Sequence, residues 1–141
     1  MSKQEEAGLV LKLYELRREE TLRKARDWYF ARFHPQSLVD YNEAMFGPDG
    51  AFVRMVISYW DMAAALVNHG AISLELFNQT NGEHIGVFSK VEPFLEALRA
   101  QWGPQYLVNL EELIDATPDG RKRVADARER MQAMRAKVGA R

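Results

Sequence analysis

The sequence predicts an all-α protein, an irregular helical bundle of about five to seven helices opened by a long charged helix and closed by a basic one. Three observations carry that prediction. Every strong hydrophobic periodicity recurs at three or four residues, the spacing of a helix with one buried face. No stretch shows the apolar and polar alternation, bounded by turns, that a half-buried strand requires. Of the five prolines, all but Pro93 lie between the periodic runs, where they separate elements instead of breaking them.

Gln4 to Phe33 reads as one helix, because no proline interrupts it and Leu9, Leu13 and Leu16 recur at helical spacing ahead of Leu22, Ala25 and Tyr29. At 1.5 Å per residue it makes a rod of about 45 Å, so part of it is expected to project from a domain of this mass. Its charged middle, Glu15 to Asp27, supports itself by pairs one turn apart. His34-Pro35 ends it, and Ser37 caps a short helix that stops at Gly47-Pro48-Asp49-Gly50. Ala51 to Val67 is the most apolar stretch, with Arg54, Ser58 and Asp61 on a single narrow stripe. That pattern predicts a helix at the centre of the bundle, too short and too polar to read as a membrane span. Gly70 closes it as a left-handed residue.

Ser73 to Asn78 predicts two further turns. Thr80-Asn81-Gly82-Glu83 has the spacing of a capping box and opens a helix through Phe88, Val91, Leu95, Leu98 and Trp102, which Pro93 should kink or break. Gly103-Pro104 ends that helix, a short one covers Gln105 to Asp115, and Thr117-Pro118 starts the last with Thr117 as N-cap. Trp28, Tyr29, Phe30 and Phe33 should anchor the first helix around Tyr41 and Phe46. No repeat, low-complexity run or linker divides the chain. Residues 1–141 therefore read as one helical domain, with a charged helix over 1–33, a helical core over 37–115 and a basic helix over 117–138.

The 141 residues, 47% hydrophobic and 28% charged, are enough for one core without a metal or disulfide staple. With no cysteine, disulfide frameworks, thiolate metal sites and cysteine nucleophiles are excluded. The acidic start, with Glu5 and Glu6, lacks the basic and apolar regions of a signal peptide, so a cytoplasmic location is expected. A net charge of −1 conceals an uneven distribution: 8 Lys and Arg against 6 Asp and Glu in residues 1–33, 3 against 10 in 34–114, and 8 against 4 in 115–141. Two basic ends flank an acidic middle.

Glu19 to Arg26, the block from Tyr59-Trp60-Asp61-Met62 to Asn68-His69-Gly70-Ala71-Ile72, and Leu74-Glu75-Leu76-Phe77 together resemble an uncharacterised bacterial domain-of-unknown-function family of small helical proteins. The likeness spans residues from about 15 to 115. Members of this family often carry a membrane helix ahead of the charged helix, and none is expected in this sequence. The family has no assigned activity, so the resemblance implies a helical bundle and transfers no functional residue.

Three functional readings remain. The last helix carries Val124, Ala127, Met131, Met134 and Val138 at alternating spacings of three and four, a narrow apolar seam suited to one partner helix. That seam and the long first helix predict a non-enzymatic protein–protein interaction or oligomerisation module, binding itself or another protein. Arg121, Lys122, Arg123, Arg128, Arg130 and Arg135 could instead hold a nucleic acid or an anionic membrane surface, though the acidic middle opposes a phosphate backbone. Arg54, Ser58 and Asp61 could line the pocket of a small-ligand binder or an enzyme, the last of the three readings, or form a satisfied polar strip. His34, His69 and His84 have no partner at a metal-ligand spacing, and no catalytic motif or cofactor fingerprint is present, so neither an enzyme nor a cofactor is expected.

Overall fold

The long first helix that the sequence predicts is two helices. In the computed structural model, which describes residues 2–139, α1 runs over Lys3–Arg17 and α2 over Glu20–Ala31. Glu19 between them has a non-helical backbone, φ −58° and ψ 139°, and its carboxylate accepts the Leu22 N–H at 2.8 Å, capping α2. These amide dipoles hold the Glu19 carboxyl below its usual range. Neither glycine nor proline marks the break, and glutamate is not a preferred N-cap, so nothing in composition announces it. The break turns α1 back on the bundle. Arg26 donates to the Arg17 carbonyl at 3.2 Å, Tyr59 Oη donates to the Leu13 carbonyl, and the Arg17 guanidinium lies 5.4 Å from the Trp60 ring. The projecting rod is therefore absent.

Seven further helices follow: α3 Leu38–Phe46, α4 Gly50–Asn68, α5 Leu74–Thr80, α6 Glu83–Val91, α7 Leu95–Trp102, α8 Val108–Ala116 and α9 Gly120–Gly139. A 3-10 turn over Glu92–Phe94 joins α6 to α7. The described residues thus hold nine α-helices and no strand. This exceeds the expected five to seven because the first helix divides at Glu19 and the Pro93 helix breaks outright.

The centre is α4, as its composition requires. Val53, Val56, Trp60, Ala63 and Ala64 are fully buried, and α2 and α8 pack most closely on it, with α3 beside them. By length and composition alone α4 matches a membrane span, but half of its most apolar stretch is buried inside the protein. All nine helices contribute to one continuous core, from Leu13 on α1 to Ala127 on α9. The aromatic cluster of α2 anchors on Tyr41, whose ring is 5.5 Å from Phe33, and on Phe52, 6.1 Å from Trp28. Phe46 takes no part in that anchor.

Local signals at Ser37 and Gly70 read true, and the two turns expected from Ser73 form as α5, with Ser73 itself as the cap. Ser37 accepts the Asp40 N–H, Ser73 accepts the Leu76 N–H, and Gly70 has φ +86° at the end of α4. Two expected N-caps do not. Thr80 belongs to the last turn of α5, where its hydroxyl donates to the Leu76 carbonyl at 2.8 Å, and Glu83 points away to Arg26. Thr117 ends α8: its hydroxyl donates to the Leu113 carbonyl and accepts from Asn78, and α9 starts only at Gly120. The turns before α4 and α9 share the tripeptide Pro-Asp-Gly. In both, a Cβ on the glycine would lie 1.9 Å from a carbonyl oxygen, Met45 at Gly50 and Ile114 at Gly120, so only glycine fits.

Candidate functional site

Arg54, Ser58 and Asp61, the stripe on α4, all border one cleft, but they differ in what they bond. Asp61 accepts the Leu110 N–H at 2.9 Å and an Asn109 amide N–H at 3.2 Å. Leu107, the residue before α8, has φ +53° and no side-chain capping bond, so a carboxylate from α4 caps α8 instead. Asp61 is thus a structural group, bonded to backbone and not to an opposite charge. Arg54 and Ser58 are exposed at the rim of a cleft of about 320 Å³ floored by Met45, Ile57, Leu107 and Tyr106. At its edge the Trp102 ring meets Phe46 across α7 and α3, tilted by 34° with centroids 5.6 Å apart, the two 46% and 68% exposed. Reciprocal amide bonds between Asn42 and Gln101, each 3.1 Å, fasten these two helices together below the rings. Glu43 lies one turn before Phe46 and is exposed.

The seam on α9 is half used. Val124 and Ala127 are buried against α6, Met131 is half-buried, and Met134 and Val138 are 66% and 67% exposed. The cations divide the same way. Arg121 reaches Glu92, Glu111 and Asp115, each within 2.8 Å, and Arg128 shares Glu92 at 2.6 Å. Lys122 pairs with Asp126. The Arg121 guanidinium holds the Asp115 carboxyl below its usual range; at Glu111, burial works upward but Arg121 and Arg99 prevail and lower it. Arg123, Arg130 and Arg135 form no ion pair among the described residues. Of the row read as anion-binding, Arg121 and Arg128 are thus committed to carboxylates of the acidic core and Lys122 to Asp126 of its own helix.

The sequence reading misses Lys90. It is the sole Lys or Arg between Arg54 and Arg99, set in the apolar run of α6, and that isolation is the signal that could have found it. Its side chain is buried. Nζ donates to the Tyr29 carbonyl at 2.8 Å and the Phe33 carbonyl at 2.7 Å, at the end of α2, and reaches His34 Nδ1 at 3.2 Å. His34 Nε2 faces the Ala31 carbonyl at 3.1 Å, which makes Nε2 the donor and leaves Nδ1 to accept. Burial, aided by Arg135, pushes the Lys90 ammonium down to about 7, while its three acceptors are all satisfied only by the protonated form.

His84 is fully buried between Trp60 and Phe77, with neither ring nitrogen bonded, and burial together with Arg123 lowers it to about 4. It is a neutral core side chain. Among the described residues no three His, Asp or Glu side chains converge as a metal site.

A family signature described as a domain of unknown function, DUF4760, matches residues 4–117. The chain belongs to the DUF4760 family. That agrees with the resemblance read from the sequence and widens its span. The DUF4760 region takes in α1 to α8, hence the Asp61 cap, the Phe46–Trp102 pair and Lys90, and stops short of α9. No curated protein and no solved structure matches the chain.

Proposed function

We propose that this protein is a non-enzymatic helical interaction module that binds a second copy of itself. The observation that carries the reading is the half-covered seam of α9. Its first half docks on α6 by apolar burial and by arginines paired to the acidic core, and its second half offers the same combination with Met134 and Val138 left exposed. Met134 and Val138 are flanked by Arg130 and Lys137. The complement lies on the acidic middle of the chain, where Phe46 and Trp102 are exposed beside Glu43.

Opposite charges steer such an encounter, and apolar burial at its centre holds it. Two like α9 segments would instead face each other with surplus positive charge. Reciprocal docking, α9 of each copy on the Phe46–Trp102 patch of the other, closes a two-fold dimer. The surplus length of the first helix no longer supports the module reading, because α1 packs on the bundle. Nucleic acid or a membrane surface is the weaker alternative, since Arg121, Lys122 and Arg128 already hold carboxylates.

Light scattering at micromolar protein and low salt tests the proposal. A dimer is expected for the parent chain, and a monomer for the Met134→Glu, Val138→Glu double variant. A monomeric parent under these conditions would overturn it.

A further inference from the structure

A cavity of about 150 Å³ lies where α9 crosses α6 and the connection from α2 to α3. Its wall departs from the acidic middle of the molecule. Lys90, Arg128 and Arg135 supply three cations, His34, Gln36 and Gln132 supply polar groups, and no carboxylate lines it. Glu92 neutralises Arg128 from outside the cavity, at 2.6 Å. Lys90 and Arg135 have no carboxylate partner among the described residues.

The Lys90 deficit is costly. The residue is 8% exposed, and a buried cation without a counter-charge is unfavourable even when its hydrogens are satisfied. Two carbonyls and an imidazole satisfy them here, but none brings negative charge. The neighbours register the positive field. Burial and then Lys90 hold His34 below its ordinary range, and Arg135 adds to the burial that lowers Lys90.

We propose that this cavity binds a small dianionic oxyanion, a phosphoryl group, whose two charges match those of Lys90 and Arg135. The planar guanidinium of Arg135 donates to two of its oxygens, the fork geometry that suits phosphate. Gln132 adds an amide donor, and Gln36 adds the second hydrogen of an amide whose first goes to the His34 carbonyl. Lys90 acts through its charge, because its three hydrogens are engaged. The cavity is small enough that any larger body carrying the phosphoryl group stays at its mouth. This site is independent of self-association, which uses Met134 and Val138.

The probe is inorganic phosphate, added to the full chain, with acetate and chloride at equal ionic strength as controls. Phosphate is expected to raise the melting temperature and to give a saturable calorimetric titration, with acetate and chloride giving neither. Arg135→Gln should weaken binding about tenfold or more while leaving the melting temperature in chloride unchanged. Gln132→Glu, which sets a carboxylate at the cavity rim, should weaken it comparably and serves if the first variant misfolds. Arg123→Gln, outside the cavity, should bind as the parent does. Phosphate acting no more than chloride, or both cavity variants binding like the parent, would overturn the proposal. Where phosphate binds, phosphatidylcholine vesicles containing phosphatidic acid identify the source. Co-sedimentation competed by free phosphate assigns the group to a lipid headgroup, and its absence assigns it to a soluble ester.

Discussion

Replacing His84 with leucine should flatten the acid side of the stability profile. In the folded chain the imidazole is buried with both nitrogens unbonded, and its pKa falls from 6.5 to about 4; unfolded, it returns to the ordinary value. Below pH 6.5 the unfolded chain therefore takes up a proton that the folded chain refuses. Stability attributable to this residue is full above 6.5 and is lost as the pH falls toward 4. For one such group the loss is about 1.4 kcal/mol at pH 5.5 and about 2.5 kcal/mol at pH 4.5. Leucine has a similar volume and cannot titrate. Urea unfolding of parent and His84→Leu at pH 7, 5.5 and 4.5 isolates the contribution, because the carboxylates common to both cancel in the difference. Because a little of that loss is already present at pH 7, the variant should gain on the parent by about 1.2 kcal/mol between pH 7 and 5.5 and by about 2.4 kcal/mol between pH 7 and 4.5. It should also match or exceed the parent at pH 7, since two unbonded buried nitrogens are removed. A constant difference across the three pH values would refute the reasoning, because His84 would then titrate normally in the folded state.

Asp61→Ala removes the cap that α4 lends to α8 and leaves the Leu110 N–H without its acceptor, so it should cost about 1.5–3 kcal/mol in urea unfolding. Glu19→Ala removes the cap of α2, so amide exchange should quicken first at Thr21 and Leu22 while the rest of the chain exchanges as in the parent. Gly120→Ala sets a Cβ 1.9 Å from the Ile114 carbonyl and should lower stability by about 3 kcal/mol, whereas Gly8→Ala, with nothing within 4 Å, should be neutral or mildly stabilising.

Helix identity was legible wherever a stripe of large apolar residues met local punctuation, as at Ser37 and Gly70. The burial of α4 followed from composition alone, since three polar residues on one stripe leave no second solvated face. Errors arose where a side chain bonds something distant in sequence. Glu83 has a capping-box spacing to Thr80, yet Arg26 and Trp60, brought in by α2 and α4, are stronger partners than a local N–H. Asp61 looks like an unpaired charge until α8 arrives with unsatisfied backbone donors. Lys90 shows no local motif at all. Its role depends on the end of α2 lying against α6, a contact that a linear pattern does not encode. The seam of α9 was visible in full, but how much of it the protein covers itself depends on where α6 ends.

The self-association reading is tested most directly by complementation. One variant disables the helix, Met134→Glu with Val138→Glu, and another disables the patch, Phe46→Ser with Trp102→Ser. If α9 of each copy docks on the patch of the other, each variant alone is monomeric by light scattering, and an equimolar mixture regains dimer mass through its one intact contact. A mixture that stays monomeric while the parent is dimeric, or variants that dimerise as the parent does, would contradict it.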